Sequence, residues 1–218
     1  MKAEITLPES LADIKLSNYQ KLIEVVQANE GADEFINMKT VQYLCEMPFD
    51  LVGKIKKKDF DSILIHIDEV LKEKSEFKMR FFLNGIEYGF TPDLNEEMTI
   101  GEFADLTNYF DNWKEMHRAM SVLFRPITQT FKDKYLIEDY SGSNESLKDM
   151  PMDVVMGARV FFYRLGIELS QHILQSLERE SPEETIAVQH LLAKNGVGIK
   201  AFTHSLEEMY SILNGLKN

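Results

Sequence analysis

Apolar positions recur along this chain with two periods, and each change of period marks an element. Steps of three and four residues predict helices over 18–29, 33–46, 59–74, 101–110, 113–124 and 152–178. The clearest short stripe is Phe60, Ile63, Leu64, Ile67, Val70 and Leu71 on one face of 59–74. Between these helices, FKMRFFLNGIEYGF (77–90) turns at Asn84-Gly85, the pair favoured for a two-residue hairpin. A β-prone run at 3–7 is expected to pair with that hairpin, because a lone hairpin is marginal. ITQTF and YLIEDY predict a second hairpin across Lys132-Asp133-Lys134, followed by the polar loop SGSNES. The fold class is therefore mainly α with small β-hairpins, α+β.

The longest stripe is Val154, Ala158, Phe161, Leu165, Leu169 and Ile173, widened by Val155, Phe162 and Tyr163. It predicts that helix 152–178 is central. Gly157 and Gly166 within it either permit close backbone approach or are simply tolerated. Arg159 and Arg164 are expected to pair with carboxylates or to reach an interface. Ser181-Pro182-Glu183-Glu184 then has the chemistry of a helix start, predicting a last pair of helices at 182–194 and 203–216.

One pattern occurs twice. Pro8 matches Pro92, Ile14 matches Met98, Leu16 matches Ile100, Ser17 matches Gly101, Tyr19 matches Phe103 and Leu22 matches Leu106, all at one constant offset with no gap. Each copy reads as a strand, a turn and a helix capped by Ser17 or Gly101. A second match, MKTVQYLCEMP (38–48) with MHRAMSVLFRP (116–126), puts a helix just before a proline in both. The expected organisation is a first repeat-like half at 1–76 and a second at 77–180, interrupted by an insertion at 127–148. A C-terminal helical pair at 181–218 completes it.

Charge narrows the partners. The 218 residues carry a net charge of −12, which disfavours general binding to nucleic acid or anionic membranes. The basic run Lys54-Ile55-Lys56-Lys57-Lys58 reads as a solvated loop. No run of about 18 uncharged apolar residues is present, so no membrane span is expected. The N-terminus lacks a signal-peptide apolar region, which points to a reducing cytoplasm as the first compartment. Cys45, the single cysteine, falls on an apolar helical face and reads as a small buried hydrophobe rather than a nucleophile.

The search for chemistry yields little. No P-loop, dinucleotide-binding glycine pattern, H-E-x-x-H, G-x-S-x-G or CxxC is present. Glu168 and His172 stand one turn apart, but metal ligation needs further ligands, so the pair reads as helix surface. Trp113 and His117 share a helical face near Asp111, Glu115 and Arg118. They read as a core or interface anchor; an enzymatic alternative would need a deep pocket joining Trp113, His117 and Arg125. The expectation is a protein that is not an enzyme, with no catalytic residue, cofactor or metal site assigned.

The runs FLNGIEYGFTPDLNEEMTIGEFADLTNYFDNWKEMHRAMSVLFRPI (82–127) and MPMDVVMGARVFFYRLGIEL (150–169) resemble proteins from the structural-gene regions of tailed bacteriophages infecting Bacteroidota, crAss-like phages included. ITLPESLADIKLSNYQKL is similar to the start of the same group. The resemblance implies a virion structural or packaged cargo protein, located in the virion and in the host cytoplasm during assembly. It would bind portal, tail or capsid components through apolar helical faces, with homo-oligomerisation left open. The alternatives are a tail-assembly chaperone absent from the mature particle, or a cytoplasmic adaptor.

Overall fold

The computed structural model describes residues 5–92, 98–132 and 134–177, with side chains as far as residue 164. The expected helices at 182–194 and 203–216 lie outside the described residues, as does the whole segment 181–218. Contacts group residues 1–157 into one compact unit and 158–218 into another. The described part of the second unit is the continuation of one long helix, on which Arg159 is buried and Arg164 exposed.

The protein is α+β and mainly helical. Four helices open the chain: α1 (Leu16–Ala28), α2 (Asp33–Leu44), α3 (Phe49–Val52) and α4 (Lys57–Leu71). Strands β1 (Arg80–Leu83) and β2 (Ile86–Phe90) follow. Then come α5 (Ile100–Tyr109), α6 (Met116–Leu123), β3 (Phe124–Phe131), β4 (Lys134–Ile137) and α7 (Met152–Leu177). The four strands form one antiparallel sheet in the order β1-β2-β3-β4.

Both hairpins form. Asn84 and Gly85 have φ of 51° and 80° between the paired residues Leu83 and Ile86, as a type I′ turn requires. β3 and β4 close on the pair Phe131 and Lys134, so Lys134 belongs to the strand and not the turn. Of the N-terminal strand expected at 3–7, residues 5–7 are irregular and residues 3 and 4 lie outside the described residues. One edge of the hairpin is taken, since β3 pairs Phe124 with Phe90 and Arg125 with Gly89, and the other edge, β1, receives no strand among the described residues. The N-terminal segment instead makes one bridge, Lys15 with Pro151, flanked by Leu16 N–H to Met150 O (2.9 Å) and Met152 N–H to Ile14 O (2.9 Å).

The pairing of β2 with β3 explains a second difference. The helix expected over 113–124 is a 3₁₀ turn at Trp113–Glu115 followed by α6, which stops at Leu123. Phe124 and Arg125 are already extended against β2, and Pro126 lies inside β3 opposite Tyr88. Its carbonyl accepts from Glu138 N–H at 2.9 Å, so its nitrogen also faces the β4 side: the proline interrupts no β2–β3 bond and forgoes only the return bond to Glu138, just beyond the end of β4. The run at 54–58 also differs from a simple loop, because Lys57 and Lys58 begin α4, although all four lysines are exposed.

The core of the first unit gathers around α6. Met116, Ala119, Met120, Val122 and Leu123 have no measurable exposure, and neither have Leu16, Val41, Leu147, Met150 and Val155. Each fully buried Leu, Val or Met side chain contributes about 1.5–3 kcal/mol of transfer free energy. Gly157 in α7 packs directly against the chain: a Cβ there would stand 2.3 Å from the carbonyl oxygen of Glu76. Close backbone approach is thus the reason for glycine at this position.

Candidate functional site

The duplicated pattern is the best guide to an unusual surface. α1 and α5 begin at matching positions of the two copies, Leu16 and Ile100. Their N-caps are Lys15 and Thr99 rather than the expected Ser17 and Gly101, which lie in the first turns. The shared register does not carry a shared orientation. Leu16 is 0% exposed and Tyr19 4%, whereas Ile100 is 88% exposed and Phe103 62%.

α5 is turned because its inward face is polar and finds partners. Thr99 and Glu102 form a reciprocal capping box, with Glu102 N–H to Thr99 Oγ1 at 3.2 Å and Thr99 N–H to Glu102 Oε2 at 2.7 Å. The same carboxylate meets Arg125 Nη1 at 3.0 Å, with both side chains largely out of solvent. Arg125 Nη2 also reaches Thr91 Oγ1 at 3.4 Å, and that hydroxyl donates toward the carbonyls of Val122 and Leu123. One turn on, Asp105 accepts from the Tyr140 hydroxyl at 2.8 Å, and burial, first, with this carboxylate holds the Tyr140 proton far above the usual phenol range. A buried carboxylate stripped of its cation is costly, so Arg125 fixes which face of α5 points inward.

What remains outside is a seam of Ile100, Phe103, Ala104 and Thr107 at helical spacing. The Thr107 hydroxyl is satisfied within the helix by Phe103 O at 2.8 Å. The seam therefore offers methyl and aromatic surface with no charge, and its two largest side chains face solvent. Two acids inward and two large apolar side chains outward reverse the polarity of an ordinary surface helix.

The Trp113–His117 group is different in kind. Trp113 stacks edge-on against Tyr19 at 4.9 Å between centroids. Gln20 Nε2 donates to the carbonyls of Trp113 (2.7 Å) and Lys114 (3.1 Å) and stands 3.3 Å from His117 Nδ1. Both Nε2 hydrogens of Gln20 are directed to the two carbonyls; on the other side of the ring, His117 Nε2 lies 3.5 Å from the solvent-facing Glu145 carboxylate. Burial holds the His117 pKa below its ordinary value, outweighing the attraction of Glu145. Arg118 pairs with Glu115 at 2.8 Å, and Asp111 is half-buried at the turn leading in. Arg125 is engaged with Glu102 and Thr91 instead, so the three residues of the enzymatic alternative serve two separate networks.

Among the described residues, clefts on the first unit include the following two. One, about 560 Å³, lies between Pro8, Asp13, Lys15, Cys45 and Glu46. Cys45 is 8% exposed, and burial pushes its thiol up to about 11, which is unsuited to nucleophilic work. The other, about 830 Å³, follows β4 and reaches Arg125. Among the described residues no group of three or more His, Cys, Asp or Glu side chains is placed to hold a metal, and no helix is long and apolar enough to cross a membrane. Glu168 and His172 fall on the part of α7 whose side chains are not described. No family model, curated protein or solved structure matches this chain.

Proposed function

We propose that the chain is a non-enzymatic virion protein of a tailed bacteriophage, structural or packaged, that binds another virion protein through the outward face of α5. The observation that carries the binding role is the reversed polarity of α5, which holds Ile100 and Phe103 in solvent while Glu102 is spent inside. An exposed apolar seam on a helix fixed from beneath is the usual chemistry of a helix-docking surface. The phage setting rests on the resemblance of 82–127 and 150–169.

The test is mass spectrometry of purified particles from phage carrying wild-type protein or the pair Ile100→Asp and Phe103→Asp. Wild-type protein is expected at a fixed copy number, and the variant is expected to be lost from particles while remaining folded. Unchanged incorporation of the variant removes α5 from the proposal. Wild-type protein that is made during infection yet absent from particles replaces the virion role with an assembly chaperone.

A further inference from the structure

We infer that β4 is a self-pairing edge through which two copies of this chain join their sheets. In the order β1-β2-β3-β4 the outer side of β4 is a free edge, and no strand among the described residues pairs with it. Glu138 N–H bonds inward to Pro126 O. In an antiparallel ladder alternate residues bond to the same side, so Lys134 and Leu136 also bond toward β3. The N–H and C=O groups of Tyr135 and Ile137 therefore point away from the sheet.

The side chains along this edge are self-complementary. Lys134, Leu136 and Glu138 share one face, on which Leu136 is 54% exposed, while Tyr135 and Ile137 turn to the other. Tyr135 is held there by its hydroxyl, which donates to Phe90 O at 2.6 Å. A two-fold axis at Leu136 sets Leu136 against Leu136 of the second copy. It sets Lys134 against Glu138 of the second copy, twice by symmetry. The same register sets Tyr135 opposite Ile137 of the second copy, the two residues with outward backbone groups. Backbone pairing and charge pairing thus demand one register. A slip of one residue reverses the faces, and a slip of two sets Lys134 or Glu138 against Leu136.

β1, the opposite edge, lacks this property. It carries Arg80 and no acid, and Arg80 already lies 3.7 Å from Glu87 of β2. A lysine on a short edge strand ordinarily repels foreign strands. Here it admits only a strand that brings an acid to the matching position, which a second copy does. The net charge of −12 opposes association at long range, so the dimer is expected to be weak and reversible.

Sedimentation velocity of the full chain tests this. Wild-type protein is expected to dimerise reversibly at roughly 100 μM. Lys134→Glu and Glu138→Lys each set like charges together and are expected to weaken the dimer about tenfold or more. The double variant restores the pairs with reversed sign and is expected to return near wild-type affinity. Leu136→Asp is expected to abolish the dimer. Circular dichroism should show all four variants folded, since none of the three side chains is buried. A wild-type chain that stays monomeric overturns the inference, as does a dimer indifferent to the single variants or a double variant that fails to recover.

Discussion

α1 and α5 carry the same apolar pattern at the same register, yet one buries it and the other presents it to solvent. The deciding position is the third residue of each helix. In α1 it is Asn18, which faces outward and donates to Glu46 at 2.9 Å. In α5 it is Glu102, which faces inward to Arg125. A single buried ion pair and one capping box outweigh the apolar stripe in setting the rotation of α5. The lesson is that an apolar pattern names a face, and the neighbours decide whether that face is spent on the core.

The largest break in this comparison should come from Arg125→Met. It strands Glu102 in a buried site and is expected to cost about 3–5 kcal/mol in urea unfolding. Asn18→Ala, the change at the matching position of α1, should stay within roughly 1 kcal/mol. Leu16→Ala is expected to cost about 2–5 kcal/mol because the site is fully closed. Its counterpart Ile100→Ala should fall within about 0.5 kcal/mol. Equal losses at Leu16 and Ile100 would show that both seams are core, and would break the comparison outright.

A smaller effect separates the two helices by pH. α1 is tied to His117 through Gln20, in a site where burial favours the neutral ring over the opposing attraction of Glu145. The folded pKa lies below the unfolded value near 6.5, so below that pH the unfolded chain binds the proton first. The stabilisation is complete above about 6.5 and is lost as pH falls through the folded value. Unfolding free energy followed downward from neutral pH should decline through this window in wild type, and less steeply in His117→Gln. The smallest contrast is at the caps. Thr99→Ala removes a reciprocal cap and should cost about 1 kcal/mol. Lys15→Ala loses only an exposed pair with Glu46 at 2.7 Å and should cost less.

Much of this architecture can be read along the chain because its signals are local. α1, α2, α4 and α7 follow from apolar periodicity, and the first hairpin from Asn84-Gly85. The class, mainly helical α+β, follows with them. What the pattern misses is non-local. β3 is strand from Phe124 because β2 offers it an edge at Phe90, on the far side of α5 and α6 in the chain. Pro126 reads as a helix stop, yet it sits in a strand, with its nitrogen turned from β2 toward Glu138 just beyond the end of β4. The seam of α5 is visible as a repeat, but its exposure depends on Arg125, and no periodicity reports that partner. The short α3 has too few residues to leave a pattern.

The junction of Ile14–Leu16 with Met150–Met152 also sets a clock. α1 is made early, but the backbone that satisfies its first amide is Met150, which is synthesised only after every other helix among the described residues but α7. At about 5–20 residues per second, a nascent chain holds Leu16 and Tyr19 without their final cover for on the order of ten seconds. Synthesis thus keeps a second apolar helix face open for a time before folding closes it. The face of α5 is the one that stays open afterwards.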